Sequence, residues 1–187
     1  MGLWPMQECK RKWQQEGIEL SYPELTEMAQ ESEPFAAYID VDYSGFLALG
    51  DMPKRINSYL AETGQKAVEH KGQMIRMILE GLAFKYRMVI ERIEDVTGKQ
   101  VDCLHIVGGG SQNELLNQFA ANATGKKAIS GPVEATASGN ILMQAKATGQ
   151  INTLTQAREI VCNSFDLKEY EPQNTALWEE QYTRIKT

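Results

Sequence analysis

Residues 104–118, LHIVGGGSQNELLNQ, join a short apolar run to an amphipathic helical pattern through three consecutive glycines. This order sets a strand end against a helix start, the unit from which α/β sheets are assembled. Leu104, Ile106 and Val107 read as a buried strand, and Ser111 with Glu114 matches the S-x-x-E capping box that opens a helix. With no side chains at Gly108, Gly109 and Gly110, a ligand can come close to the backbone, and the helix N-terminus behind them offers partial positive charge to an anion. The same glycines equally suit a plain tight turn with no ligand. Two sharper phosphate motifs are excluded. G-x-G-x-x-G lacks its third glycine, because Asn113 stands there, and no G-x-x-x-x-G-K-[ST] occurs around Gly125 and Lys126.

The surrounding pattern keeps to the same architecture. A helix is expected over 112–123, a strand near 127–130, then Gly131-Pro132 and a helix over about 134–148. Alternating β and α segments call for a sheet covered by helices, with ligands at the carboxyl ends of strands, where Gly108, Gly109 and Gly110 fall. Ahead of this unit the spacing predicts helices over 3–16, 24–32 and 52–62. Pro23 and Pro53 lie in the first turns of the last two, and Ser21 or Tyr22 and Asp51 stand near their caps. A short strand is expected over 37–42. The strongest helix runs over 72–96, with Ile75, Ile78, Leu79, Leu82, Tyr86, Val89, Ile90, Ile93 and Val96 on one apolar face. At about 38 Å it would cross a whole domain, and Gly81 inside it points to close approach of another backbone. The tail, 153–185, reads as two helices around an extended stretch at 166–172.

At 187 residues and 42% hydrophobic content the chain suits a single unit with its own core. A net charge of −6 with scattered Lys and Arg excludes the basic footprint of a nucleic-acid binder. No apolar run approaches membrane-spanning length and no secretory signal pattern opens the chain, so a cytoplasmic protein is expected. Cys9, Cys103 and Cys162 are odd in number and far apart, which suits free thiols.

Other groups attract a chemical reading and a plainer one. Cys103 and His105 share a strand face as two metal ligands would, yet further ligands are missing and packing explains them better. Asp40 and Asp42 lie two apart and would suit Mg²⁺ or acid–base work, whereas a solvent-facing carboxylate pair is the commoner arrangement. Asn113 would offer an amide to an adenine edge or simply face solvent. Ser111 is explained as a helix cap by Glu114, and Glu134 by the helix dipole.

GGGSQN at 108–113, GDMPKRINSYLAETGQ at 50–65, EGLAFKYR at 80–87 and GPVEATASGN at 131–140 together resemble the C-terminal domain of the FGGY carbohydrate kinases, in order from about residue 2 to 172. The resemblance implies an actin-like, ribonuclease-H-like ATPase fold of two lobes, with sugar and ATP, carried with Mg²⁺, in the cleft between them. It implies that 1–187 is an incomplete C-terminal domain whose N-terminal lobe, with its Asp-x-Gly phosphate loop and its base aspartate, lies outside this sequence. On that reading no residue here is catalytic. Gly108, Gly109 and Gly110 lie against the ribose and α-phosphate, Gly109 foremost, with Ser111 and Asn113 beside them. The sugar reaches the site through the missing lobe, the fragment alone is inactive, and its uncovered apolar surface and sheet edge favour self-association. A non-catalytic interaction module is the alternative from another class. A Rossmann dehydrogenase is weaker, because Asn113 replaces the third glycine.

Overall fold

A computed structural model of the chain describes residues 2–186. Its longest element is the helix Lys71–Thr97 (α4), which follows α1 (Trp4–Gln15), α2 (Tyr22–Glu31) and α3 (Met52–Glu62). Its 27 residues span about 40 Å. Local signals set these helices much as the sequence indicates. Ser21 and Glu24 form a reciprocal capping box at α2, the Asp51 carboxylate accepts the Lys54 amide at α3, and Gly98 closes α4 in the left-handed region at φ 64°.

Two glycines of α4 let other backbones approach it. A Cβ on Gly81 would lie 2.8 Å from the Ile39 carbonyl oxygen, and one on Gly72 would lie 2.4 Å from that of Met28. The close contact expected at Gly81 is therefore present, and α2 gains a second one at Gly72. Arg76 ties the same elements together. Its guanidinium donates to the Ala29 and Gln30 carbonyls at the end of α2 (3.1 Å each) and to Glu80 Oε1 (2.8 Å), and it lies 5.2 Å from the Phe119 ring centroid. Both oxygens of Glu80 in turn accept the Phe35 amide, which holds Phe35 in a left-handed turn at φ 55°. Burial pushes the Glu80 carboxyl up to about 7 against the pull of Arg76 and the Phe35 amide.

The expected strand over 37–42 does not form. The segment buries Ile39 and Val41, but residues 37–40 pair with side chains and the chain then turns, the Tyr43 amide donating to the Asp40 carbonyl (3.0 Å). Gln65 Oε1 accepts the Tyr38 amide (2.8 Å), Gln65 Nε2 donates to the Tyr38 carbonyl (2.9 Å), and the Asp40 amide donates to the Tyr59 hydroxyl (3.2 Å). One carboxamide takes both bonds that a neighbouring strand would supply.

Beyond α4 come β1 (Cys103–Ile106), α5 (Glu114–Thr124), β2 (Lys127–Ser130), α6 (Ala135–Ala147), α7 (Leu154–Ser164), β3 (Lys168–Tyr170) and α8 (Thr175–Lys186). Among the described residues the sheet has order β1-β2-β3. β1 runs parallel to β2, with Cys103 opposite Lys127, and β3 runs antiparallel to β2, with Tyr170 opposite Ala128. The extended stretch expected in the tail is thus a paired strand. β1 lies at a sheet edge, and of the three residues expected to be buried only Ile106 is. Leu104 is half-buried and Val107 is 51% exposed. α5 packs on both α4 and β2, joining the sheet to the helical core.

The main core groups Met6, Leu25, Ile39, Phe46, Ile56, Ile75, Leu79, Phe84 and Leu116, and it reaches the tail through Trp178 and Tyr182. The Trp178 ring sits 4.8 Å from Phe35, 5.1 Å from Phe84 and 5.2 Å from Phe119, centroid to centroid. The apolar face expected along α4 is buried from Ile75 to Leu82 and again at Ile90. Val89 and Ile93 are exposed, and Val96 is 87% exposed. α6 buries none of its residues, with Ile141 and Met143 both open to solvent. No helix of the described residues is long and apolar enough to cross a membrane.

Candidate functional site

At the carboxyl end of β1 the chain enters Gly108 at φ 76°, ψ −166°, a conformation essentially reserved for glycine. A short 3₁₀ turn over Gly109–Gln112 follows and leads into α5. The Gly131 amide donates to the Ile106 carbonyl (2.9 Å) and the Gly108 amide to the Pro132 carbonyl (3.2 Å). The β1–β2 ladder thereby continues past both strands and pins the 131–132 loop against the turn. The amides of Gly109 and Gly110 have no acceptor among the described residues, and a Cβ at either position would meet nothing within 4 Å. The turn therefore presents two uncommitted backbone donors to open space at the carboxyl ends of two parallel strands.

The capping box expected from Ser111 and Glu114 is absent. The cap of α5 is Asn113, whose Oδ1 accepts the Leu116 amide (2.9 Å), while its Nδ2 lies 3.5 Å from Thr26 Oγ1 of α2. Ser111 is buried, and its hydroxyl and its amide both donate to the Gly108 carbonyl (2.7 and 3.0 Å). α5 accordingly begins at Glu114, two residues later than expected, because the intervening residues close the 3₁₀ turn. Within the glycine turn the two side chains divide the work: Ser111 closes it from inside, and Asn113 joins it to α5 and α2.

Asn117 and Tyr170, which the sequence pattern did not single out, stand behind the turn. Asn117 is fully buried in α5. Its Nδ2 donates to the Ser111 carbonyl (2.8 Å) and lies 3.5 Å from the Tyr170 hydroxyl of β3. The signal for it was register: Asn117 shares the buried face of α5 with Leu116 and Ala120, where an amide needs a partner. A cavity of about 480 Å³ adjoins the turn, between Ser111, Val133, Phe165, Lys168 and Tyr170. Lys168 bridges to Glu114 at its rim (2.5 Å).

Asp40 and Asp42 share a lysine, and Cys103 and His105 are not packed as a pair. Lys85 Nζ sits 2.7 Å from Asp42 and 3.9 Å from Asp40, while Asp40 Oδ1 accepts the Asp42 amide. The Lys85 hydrogen bond holds the Asp42 carboxyl below its ordinary range. Cys103 is half-buried and His105 exposed, and no group of three or more His, Cys, Asp or Glu among the described residues is placed to hold a metal ion. Glu134 caps α6 without a side-chain hydrogen bond. The three cysteines are free; burial pushes the Cys9 thiol far above its usual range.

The profile of the FGGY family of carbohydrate kinases, C-terminal domain, matches residues 1–148. The rhamnulokinase of Bacteroides thetaiotaomicron is 40% identical over 185 residues, which cover 99% of this chain and 37% of that protein. The rhamnulokinase of Bacillus subtilis is 37% identical over 93% of the chain and 35% of its own length. The chain thus spans little more than a third of these relatives. Among solved structures, the xylulose kinase of Rhodospirillum rubrum superposes with a TM-score of 0.66 at 15% identity, covering 98% of this chain and 36% of that one. The glycerol kinase of Plasmodium falciparum with ADP gives 0.66 at 13% identity over 97% and 36%. At that identity the likeness speaks for the fold, which is the actin-like, ribonuclease-H-like fold of the sugar kinases. The sheet, the glycine turn and the matched sequence agree, and the chain belongs to the FGGY family of carbohydrate kinases, as part of the C-terminal domain.

Proposed function

We propose that this chain is the nucleotide-side part of an ATP-dependent kinase that phosphorylates L-rhamnulose at its 1-hydroxyl. The observation that carries the nucleotide half of this reading is the pair of uncommitted amides at Gly109 and Gly110, in open space at the carboxyl ends of β1 and β2. Gly108 gives the turn its shape, Gly109 and Gly110 hold the nucleotide's ribose and α-phosphate by their backbone, and Ser111 and Asn113 keep the turn closed. ATP, when bound, supplies the phosphoryl group. This chain's residues orient it and take no part in proton transfer, because the base and the second phosphate loop implied by the family lie outside this sequence. Mg²⁺ would arrive with the phosphates, which need at most one or two carboxylates beside them to hold it; the described residues offer no group of three ligating side chains of their own.

The sugar is inferred from the relatives' names and overall likeness, since the sugar-contacting residues lie on the other lobe. The test is sugar-dependent ADP release from this chain mixed with the N-terminal part of the B. thetaiotaomicron rhamnulokinase, with rhamnulose, fuculose and xylulose compared and each piece alone as control. Activity only in the mixture, with rhamnulose preferred, is expected. Turnover with fuculose or xylulose ahead of rhamnulose would overturn the sugar assignment. Two folded pieces inactive on all three would overturn the kinase reading and favour a non-catalytic interaction module. We further propose that the isolated chain self-associates through its open β1 edge and the exposed Val89, Ile93 and Val96.

A further inference from the structure

The family profile ends at residue 148, yet β3 and α8 beyond it are tied to α5, the helix that carries the glycine turn. Gln118 Nε2 donates to the Glu171 carbonyl (2.8 Å), and the Gln173 amide donates to Asn122 Oδ1 (2.8 Å). Between these contacts and the turn stands Asn117. A polar residue inside a helix, wholly buried, is expected to satisfy both ends of its amide. Asn117 satisfies one. Its Nδ2 donates to the Ser111 carbonyl, whereas its Oδ1 is buried and meets no donor among the described residues. An unpaired buried acceptor works against folding; a leucine of similar size would remove it, at the cost of leaving the Ser111 carbonyl without its donor. The two terms offset, so net stability gives no reason for an asparagine here, while the directed bond to Ser111 does.

Ser111 is the residue through which the turn is fixed. Its amide and hydroxyl both donate to the Gly108 carbonyl, so the residue itself is held at one end only by the turn. The bond from Asn117 to its carbonyl anchors the other end to the rigid body of α5. Gly109 and Gly110, lying between Gly108 and Ser111, have no side chains and no hydrogen bonds of their own from their amides to damp their motion. We propose that Asn117 is the positioning residue of the glycine turn, fixing Ser111 so that the Gly109 and Gly110 amides hold one direction. With regard to ligand binding this rests on the nucleotide reading above; the mechanical part does not. The Tyr170 hydroxyl at 3.5 Å limits how far the Asn117 side chain can swing, which gives β3 a place in the same arrangement.

The test uses the full chain and two variants, Asn117→Leu, which keeps the bulk, and Asn117→Ala, which removes it. Three quantities are measured: the thermal midpoint, the ¹⁵N order parameters of Gly109, Gly110 and Ser111, and the Kd for ADP by calorimetry. Asn117→Leu is expected to melt near the wild-type midpoint, because one orphaned acceptor replaces another, yet to lower the order parameters from a rigid value of about 0.85 to below about 0.6. Its affinity for ADP should fall about tenfold or more. A purely structural role would move the midpoint and the affinity down together. Unchanged order parameters in whichever variant folds would overturn the proposal, regardless of nucleotide. Absence of ADP binding by the wild-type chain would instead remove the nucleotide reading, leaving the order parameters to decide the positioning role.

Discussion

Gly108 and Gly109 are adjacent and chemically identical, but alanine is expected to do opposite things at the two positions. At Gly108 the added methyl meets nothing within 4 Å, so crowding is not the difficulty; the backbone at φ 76°, ψ −166° is. Holding an L-residue in such a region costs about 1–3 kcal/mol. For a domain of this size that lowers the thermal midpoint by roughly 2–12 °C. At Gly109 the added methyl also meets nothing, and φ is not in the left-handed region. The only folding effect there is the reduced freedom of the unfolded chain, which stabilises by about 0.4–1 kcal/mol, or roughly 1–4 °C. Yet this methyl occupies the space in front of the uncommitted amides, where the nucleotide would have to approach. Gly109→Ala should therefore weaken ADP by at least about tenfold, near 1.4 kcal/mol, while melting no lower than wild type. Scanning calorimetry and titration calorimetry on the two single variants give both quantities. Wild-type affinity in Gly109→Ala would refute the nucleotide reading of the turn, and a midpoint falling as far as that of Gly108→Ala would refute the account of the backbone.

Gly81→Ala forces a methyl to 2.8 Å from the Ile39 carbonyl oxygen, and Gly72→Ala forces one to 2.4 Å from that of Met28. Overpacking of about 1–3 kcal/mol outweighs a helix-propensity gain of about 1 kcal/mol, so both lower the urea midpoint, Gly72→Ala the more. The Glu80 carboxyl is raised by burial from 4.5 to about 7, so the fold prefers its protonated form. Its contribution is fully present below about pH 4.5 and is lost as pH rises through 7, at most about 3 kcal/mol. Stability of Glu80→Gln measured from pH 5 to 7.5 should lack that downward component, and an identical slope in both proteins would dismiss it. Glu91 behaves in the opposite sense: burial pushes it up, but bonds from Lys186, Tyr182 and Arg87 hold it near 2. Its contribution is present above about pH 4.5 and fades as pH falls through 2, and Glu91→Gln should free α8 to limited proteolysis at neutral pH. Light scattering over a wide concentration range should show the isolated chain growing in mass, and a constant monomer mass would count against an open edge that associates.

The features legible in the sequence were those decided within one turn of helix. Asp51 before Pro53, and Ser21 as one of the two candidates before Pro23, satisfy orphaned helix groups locally, so their places near the caps followed from residue type. Ser111 and Asn113 are both suitable caps for α5, but the Ser111 hydroxyl is taken by the Gly108 carbonyl and Asn113 Oδ1 accepts the Leu116 amide. The 37–42 segment has the composition of a strand, but it turns at residues 41–42. Its hydrogen bonds went to Gln65 and Tyr59, partners that nothing in the segment itself could announce. Periodicity found the apolar stripe of α4 but carries no information on how far other elements reach along it, and Val96 lies past that limit. The glycine turn was visible as a motif. What was not visible was that only Gly108 is required by backbone conformation, leaving Gly109 and Gly110 without a folding reason to be glycine.

Arg76 closes the end of α2 from another helix, where that helix has no glycine of its own to do so, and it is held there by Glu80, which in turn holds Phe35. The consequence is historical as much as mechanical. Losing Arg76 alone uncaps α2 and leaves Glu80 a neutral buried acid, and losing Glu80 alone strands a buried cation and frees the Phe35 turn; the second step is expected to be destabilising by about 3–5 kcal/mol and the first by less. An apolar pair at both positions, with a new terminator for α2 near Ser32, would be a sound alternative, but it can be reached only by several changes made together. Descendants of this sequence are thereby confined to one solution by the depth of the valley around it, and substitutions at positions 76 and 80 should be found jointly or not at all.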